Sequence, residues 1–207
     1  MKNPNAQNPR IPPGQFLTMR FPVLHYGAVP KFNPETWTFR IWGEVEKPVE
    51  MSWKEFSELP RTKITMDIHC VTTWTKLDTH WEGVSFRTLY ELGLLKPTKD
   101  AHFVIQHAEH GFTANLPLSV VQAENFLLAT HYEGEPLSAD HGAPLRGIVG
   151  AIPDRRDLKD VYFWKGAKWL RGLELTSRDH PGFWERAGYH NDADVWLEER
   201  HESFFGF

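Results

Sequence analysis

The chain contains 207 residues, of which 41% are hydrophobic and nine are tryptophan, a composition typical of a folded, aromatic-rich globular protein. Its formal net charge of −4 provides no bulk attraction for nucleic acid, so no nucleic-acid partner is expected. The single cysteine excludes an intrachain disulfide and a zinc site built from cysteines alone. No apolar run approaches the ~20 residues of a membrane-spanning helix, so no membrane span is expected.

The chain is predicted to form one domain preceded by a short arm. Residues 1–18 begin with a run rich in Asn, Pro and Gln and are predicted to be a flexible arm. Residues 19–207 are predicted to be a single domain, because they contain no internal repeat and no long linker. The N-terminus as given lacks the apolar segment and the twin arginine of export leaders, so a cytoplasmic location is expected.

Residue patterns predict many short strands and few short helices. Alternating polarity predicts strands at residues 37–43, 62–71 and 102–107. Further strands are predicted at residues 126–132, within 111–118 and at the end of 162–175. Helices are predicted at the capping box of Ser52 and Glu55, at residues 85–92 before Gly93, and at a second capping box of Ser119 and Gln122. Residues 178–207 show little periodicity and are predicted to be extended coil. The fold class is therefore α+β with strands dominant.

The only cysteine ends the second of these strands. Apolar side chains at even positions from Ile64 to Cys70 alternate with polar ones at odd positions from Thr65 to His69, which predicts a strand with one buried face. The polar stretch from residue 72 to residue 80 is predicted to be a loop that shapes a site. A thiol at the mouth of such a loop can be a metal ligand, a nucleophile or a small buried hydrophobe, and the local sequence favours the last.

Motifs for several other chemistries are missing. The eleven histidines include no HExxH pair or comparable zinc spacing, and there is no GxSxG motif. A zinc or thiol hydrolase that combines Cys70 with His69 or His80 stays open as an alternative.

Two segments of the second half combine basic side chains with glycines. His141 and Arg146 lie in one segment, and Lys165 and Lys168 lie in the other, with Gly142, Gly147 and Gly166 interspersed. Arginine binds phosphate through two parallel hydrogen bonds, lysine adds a point charge, and glycine lets the backbone approach an anion. A cradle for a phosphorylated ligand and a solvated basic turn are equally compatible with this pattern.

Six segments, taken in this order, resemble the molybdenum-cofactor domain of sulfite-oxidase-like oxidoreductases, especially the short single-domain bacterial and archaeal members. They are FPVLHYGAVP, DIHCVTTWTKLDTHWEGV, HGFTANLPL, HGAPLR, WKGAKWLRGLEL and PGFWERAGYHNDADVW, and they extend from about Met19 to Trp196. The resemblance implies a β-rich mixed α+β cofactor fold and a bound molybdenum-molybdopterin. It further implies two-electron oxygen-atom transfer on a small oxo-substrate, with electrons exchanged with an unidentified carrier.

The resemblance also implies roles for individual residues. Cys70 matches the thiolate ligand of the molybdenum, and a soft thiolate suits such a metal. Seven further residues match positions that bind the pterin and its phosphate: His25, Tyr26, His141, Arg146, Gly166, Ala167 and Lys168.

The sequence departs from the family pattern beside the thiol. Sulfite oxidases follow the ligand cysteine with arginines that bind the anionic substrate, whereas here only Lys76 is basic and a bulky Trp74 lies nearby. We therefore expect Trp74 and Lys76 to set the size and charge of the substrate, which favours a sulfoxide or another S- or N-oxide over sulfite. A pterin- or phosphate-binding module without turnover is a further alternative.

Overall fold

The computed structural model describes residues 8–202, and residues 1–7 of the predicted arm lie outside this range. Eleven strands and four short α-helices follow one another along the described chain. The strands are β1 (Phe16–Leu17), β2 (Thr38–Gly43), β3 (Val49–Ser52), β4 (Thr62–His69), β5 (Trp74–Val84), β6 (Phe103–Ala108), β7 (Thr113–Pro117), β8 (Phe126–Tyr132), β9 (Glu135–Pro136), β10 (Arg146–Val149) and β11 (Leu170–Thr176). The helices are α1 (Trp53–Ser57), α2 (Phe86–Glu91), α3 (Leu118–Val121) and α4 (Phe183–Arg186). The prediction of an α+β fold dominated by strands is confirmed.

The first of two sheets is built around β5. This strand pairs antiparallel with β4 and β8 and parallel with β1, and β8 in turn pairs with β9 and β10. One cluster of buried side chains belongs to this sheet and includes Met66, Ile68, Cys70 and Trp81. The thiol therefore lies at the end of β4, on a packed face of the sheet.

The prediction of a loop between residues 72 and 80 is wrong, because β5 begins at Trp74. The polar residues that suggested a loop are accommodated inside the sheet by hydrogen bonds. Thr79 is fully buried and donates to the Met66 carbonyl, and the Trp81 indole donates to the Thr79 hydroxyl. Buried hydroxyls with partners do not interrupt a strand, and threonine and tryptophan both favour strands.

The expected single buried face of β4 is also wrong over its last four residues, since Met66, Asp67, Ile68 and His69 are all buried. Asp67 accepts from the Arg10 guanidinium, and His69 contacts the Thr75 hydroxyl at 2.8 Å. The alternation predicted that both polar side chains face solvent, but each has a partner on that face of the strand.

The second sheet has the strand order β3-β2-β11-β6-β7. Its β2 and β11 run parallel, and the other neighbours are antiparallel. The largest cluster of buried side chains lies against this sheet and includes Phe39, Ile41, Leu173 and Leu175. The segment before β11 contacts β10 of the first sheet, where the Gly147 N–H donates to the Ala167 carbonyl, so the two segments of the predicted basic cradle lie side by side.

Two of the three predicted helix starts are confirmed. Ser52 and Glu55 form a reciprocal capping box at α1, and the Ser85 hydroxyl accepts from the Thr88 N–H at α2. The second capping box is wrong, because α3 begins at Leu118 with Pro117 as its cap and no side-chain cap bond. Ser119 lies inside this helix. Within residues 8–202, no helix is long and apolar enough to cross a membrane.

The described ends of the chain both pack against the first sheet. Gln15 is buried and donates to the Cys70 carbonyl at 3.1 Å, and β1 pairs with the start of β5. From the other end, Arg200 donates to the Val71 carbonyl at 3.0 Å. The two ends of the chain thus hold the backbone around the thiol.

Candidate active site

A cavity of about 330 Å³ lies where the first sheet faces the loops of the second half of the chain. All but one of the site residues predicted from the sequence line it: His25, Tyr26, Cys70, Trp74, His141, Arg146, Gly166, Ala167 and Lys168. The exception is Lys76. The fold thereby brings distant residues to one site, the most distant pair being His25 and Lys168, which are 143 positions apart in the sequence.

Cys70 presents its thiol to this cavity from the end of β4. The side chain is 9% exposed, and its sulfur lies 3.2 Å from the Thr72 hydroxyl. Burial raises the pKa of the Cys70 thiol, and hydrogen bonding by Thr72 and Val71 together with the charge of Arg200 opposes that rise. The uncharged thiol is thus the resting form unless a cation such as a metal ion binds the sulfur.

Arg146 is a buried cation that has only neutral partners. It is 1% exposed, and its guanidinium lies 4.3 Å from the centre of the Phe163 ring. Its nitrogens donate to the carbonyls of His141 at 3.0 Å and Gly147 at 3.3 Å. Among residues 8–202 no carboxylate lies within ion-pair distance, and burial alone lowers the pKa of Arg146 to about 9. A guanidinium in this setting is stabilised by any anion that enters the cavity.

His141 and Lys168 add two more basic groups beside Arg146. The Lys168 ammonium donates to the carbonyls of Leu24 and Asp140 at 2.9 and 2.6 Å. Burial and the neighbouring Arg146 lower the pKa of Lys168 to about 7. The His141 ring stacks on Phe21 at 4.0 Å, and burial followed by the charges of Lys168 and Arg146 lowers the pKa of His141. The three groups repel one another, as basic groups gathered around an anion site do.

Glycines and one buried amide fix the backbone of this site. The side chain of Gln106 accepts from the Ala167 N–H at 3.1 Å and donates to the Lys165 carbonyl at 2.6 Å. A Cβ atom on Gly147 would collide with that amide, and one on Gly166 would collide with the Gly147 carbonyl. The close approach of β10 to the segment before β11 therefore requires glycine at both positions.

The segment from residue 21 to residue 26 crosses one side of the cavity. Its carbonyls at Phe21 and Leu24 are held by His141 and Lys168. The His25 ring packs edge-on against Trp169, with 5.5 Å between ring centres, whereas Tyr26 is 64% exposed at the rim. His25 is thus part of the wall, and Tyr26 is accessible from solvent.

Lys76 and Trp74 differ in where they point, although both lie on β5. Trp74 is buried, lines the cavity and has an indole Nε1 without a hydrogen-bond partner among the described residues. The Lys76 ammonium instead donates to the Met19 carbonyl at 3.1 Å, and Lys76 does not line the cavity. The structure therefore places the Lys76 ammonium against the N-terminal segment and outside the cavity lining.

Lys165 does not belong to the basic cradle either. Its ammonium is buried and binds the Glu185 carboxylate, the Asn115 amide oxygen and the Asn191 carbonyl, each at 2.8 Å. Burial lowers the pKa of Lys165 and Glu185 opposes that effect. This ion pair fastens α4 to the segment before β11, and the bond to Asn115 ties both to β7.

Much of the aromatic wall escaped the sequence reasoning. Phe21, Phe112, Phe163, Trp164, Trp169, Trp184 and Tyr189 line the cavity, as does Thr113, whose buried hydroxyl has no partner among the described residues. Trp184 and Tyr189 come from the segment predicted as coil. The sequence feature that could have pointed to these two residues is their position in the segment PGFWERAGYHNDADVW, which carries the family resemblance.

Neither histidine proposed to assist the thiol in a hydrolase faces it. The His69 ring nitrogens face Thr75 and Asp160, and His80 binds the Thr65 hydroxyl. Within residues 8–202, no group of three or more His, Cys, Asp or Glu side chains is placed to hold a metal ion. Cys70 is thus a possible single protein ligand for a metal whose other ligands come from a cofactor.

The cavity combines a lone thiol with two basic groups and with a buried arginine that has no carboxylate partner among residues 8–202. Together these groups define a site for an anionic, metal-bearing cofactor. The profile of the family described as "Oxidoreductase molybdopterin binding domain" matches residues 26–184. The chain belongs to this family. It is an oxidoreductase that uses a molybdenum-molybdopterin cofactor, and the resemblance seen in the sequence is confirmed.

Related proteins agree with this assignment. The uncharacterized oxidoreductase YuiH of Bacillus subtilis (strain 168) is 45% identical over 94% of this chain and 93% of its own length. The protein-methionine-sulfoxide reductase catalytic subunit MsrP of Campylobacter jejuni is 26% identical over 74% of this chain and 54% of its own length. The chain thus spans about half of MsrP.

A solved structure shares the fold. The sulfane dehydrogenase SoxCD from Paracoccus pantotrophus superposes with a TM-score of 0.63 and 18% identity, covering 79% of this chain and 43% of the SoxCD chain. The predicted fold of the sulfite-oxidase cofactor-domain type is confirmed.

The residues of the cavity fit a phosphorylated pterin that carries a metal. Among residues 8–202, Arg146 has no counter-charge, and the Trp74 indole and the Thr113 hydroxyl are buried donors without partners. The Cys70 sulfur is a soft donor of the kind that transition metals take. These groups would suit separate parts of such a cofactor: its anion, its polar ring edges and its metal.

Proposed function

We propose that this cavity binds the molybdenum-molybdopterin cofactor with Cys70 as the protein ligand of the metal. In this proposal, Arg146, His141 and Lys168 hold the pterin phosphate. The backbone at Gly166 and Ala167 and the wall at His25, Tyr26 and Trp74 contact the remainder of the cofactor.

The single observation that carries the proposal is the buried Arg146 in the same cavity as the only thiol. A desolvated guanidinium without a carboxylate is costly to bury, and a phosphate would supply the missing charge through two parallel hydrogen bonds. Its packing on Phe163 at 4.3 Å keeps the guanidinium plane in place before the anion arrives.

When bound, the cofactor supplies a two-electron oxygen-atom transfer. The chain contributes binding, orientation and the exclusion of water. Arg146 and Lys168 neutralise the phosphate, and Cys70 gives up its proton on coordination. The aromatic wall, which includes Phe21, Phe163 and Trp184, keeps the centre of the site apolar.

The proposed substrate is a small neutral oxide, such as a sulfoxide or an N-oxide, rather than sulfite. MsrP, one of the relatives, is a methionine-sulfoxide reductase by its name. Lys76 is turned towards the Met19 carbonyl, and Arg200 is held by the Val71 and Pro13 carbonyls. With both cations engaged elsewhere, the wall beside Cys70 offers the Trp74 side chain to a substrate.

Elemental analysis tests the cofactor and its ligand. The protein and its Cys70→Ser variant are purified from a host that makes the pterin cofactor. We expect about one molybdenum per chain in the first and a loss of most of it, or an altered metal spectrum, in the second. Equal molybdenum content and identical spectra in the two proteins would remove Cys70 from the proposal.

Turnover tests the substrate. The loaded protein is given a chemically reduced dye as electron donor and dimethyl sulfoxide, methionine sulfoxide or trimethylamine N-oxide as acceptor. Oxidation of sulfite with a dye acceptor is measured in parallel. Faster sulfite oxidation than reduction of every oxide would refute the neutral substrate, and molybdenum without any turnover would favour a binding module.

An unidentified electron carrier and a cytoplasmic location complete the proposal. The carrier is required because oxygen-atom transfer leaves two electrons to be delivered or removed in each cycle. Fractionation of cells of the source organism with an antibody to this chain tests the location.

A further inference from the structure

The side chain of Thr72 lies beside the Cys70 thiol, two residues further along the chain. The sulfur and the Thr72 hydroxyl oxygen are 3.2 Å apart, and both residues line the cavity. The tight turn between β4 and β5 holds this contact. The Thr73 N–H donates to the Cys70 carbonyl at 3.0 Å, and the Cys70 N–H donates to the Trp74 carbonyl at 2.9 Å.

Long-range bonds prevent the turn from relaxing. Gln15 donates to the Cys70 carbonyl, and Arg200 donates to the Val71 carbonyl, from opposite ends of the chain. The Arg200 guanidinium also lies 4.9 Å from the centre of the buried Tyr162 ring. The backbone on either side of the thiol is therefore held in place by segments from both ends of the described chain.

The direction of the hydrogen bond follows from protonation. A thiol and a hydroxyl can each donate, but a metal-bound thiolate has no proton, so the hydroxyl must then be the donor. The neighbouring Thr73 hydroxyl donates to the Thr72 carbonyl at 2.6 Å and makes no contact with the sulfur. Thr72 is thus the side chain placed to donate to the ligand sulfur.

We propose that Thr72 is a positioning residue that donates a hydrogen bond to the Cys70 thiolate and thereby raises the reduction potential of the bound metal. This inference rests on the proposed function of Cys70. A hydrogen bond withdraws electron density from the sulfur, which weakens its donation to the metal and favours the reduced state. By means of Thr72, which lies next to the metal ligand, the chain thus sets how readily the metal accepts electrons.

The test compares the loaded protein with three variants. Thr72→Val removes the hydroxyl and keeps the shape, Thr72→Ser restores a hydroxyl, and Thr73→Val removes the neighbouring hydroxyl as a matched control. The midpoint potential of the metal is measured by redox titration followed by electron paramagnetic resonance, and molybdenum content is measured on the same samples.

We expect Thr72→Val to keep its molybdenum and to shift the midpoint to a lower potential. Thr72→Ser should lie close to the wild type, and Thr73→Val should not shift. A Thr72→Val variant that retains molybdenum and has an unchanged midpoint potential would overturn the inference. An equal shift of the midpoint potential in Thr73→Val would overturn it as well. A Thr72→Val variant as poor in molybdenum as Cys70→Ser would show a role in metal retention instead. Absence of molybdenum from the wild type is a different result, and it would refute the proposed function itself.

Discussion

Replacement of Arg146 with methionine is expected to stabilise the cofactor-free protein and to abolish retention of the cofactor. The pKa of Arg146 lies more than three units below the ordinary guanidinium value because of burial. At about 1.4 kcal/mol for each unit, burial of this charge costs about 4–5 kcal/mol. Methionine has a similar length and no charge, so the variant avoids that cost.

The variant also loses favourable contacts. Hydrogen bonds to the carbonyls of His141 and Gly147, of about 1 kcal/mol each, disappear together with a longer, weaker one to the Gly166 carbonyl at 3.5 Å and part of the packing on Phe163. Methionine recovers some of the contact with the ring. The net gain is about 1–2 kcal/mol, which corresponds to a rise in Tm of about 2–8 °C for a chain of this size.

Thermal and urea unfolding of protein from a host without pterin synthesis measure the stability, and molybdenum content from a competent host measures retention. Arg146→Lys keeps the charge and serves as the control, for which no stabilisation is expected. A less stable Arg146→Met apoprotein would refute the reasoning, because it would mean that the guanidinium is needed by the fold itself. Full molybdenum in that variant would mean that the phosphate lies elsewhere.

Three further predictions concern lysines. Glu185→Ala leaves the buried Lys165 without its carboxylate, so urea unfolding should show that the free energy of unfolding falls by about 3–5 kcal/mol. A fall of less than about 1 kcal/mol would contradict the importance of the pair. The pKa of Lys168 is depressed to about 7, so its ammonium destabilises the apoprotein below that pH. The free energy of unfolding should therefore rise between pH 7 and pH 10, by at most about 1.4 kcal/mol per pH unit, and Lys168→Met should lack this part of the rise. Lys76→Glu should change molybdenum content and the KM for a charged or neutral substrate by less than about twofold, since Lys76 faces the Met19 carbonyl. A much larger rise in the KM for an anion would show that Lys76 belongs to the site.

Local patterns were sufficient for much of the fold and for the class of cofactor. The strand at residues 126–132 and the capping box of Ser52 and Glu55 depend on neighbours in the sequence, and both were predicted correctly. The order of six short segments identified the family. It also carried the assignment of Cys70, Arg146 and Lys168, which the tertiary structure brings to one cavity.

Only the tertiary structure decided which polar residues face the site. Lys165 and Lys168 are three residues apart in one basic segment, yet Glu185 neutralises the first and the second lies beside Arg146 in the cavity. The polar stretch that became β5 could be distinguished from a loop only by partners on β4 and β8. Composition and spacing alone left a phosphate cradle and a solvated basic turn equally compatible, and it was the order of the six segments that predicted an anionic cofactor and basic groups to bind it. Long-range packing determined which groups are left without partners to do so, because the direction and the burial of a side chain depend on residues far away in the sequence.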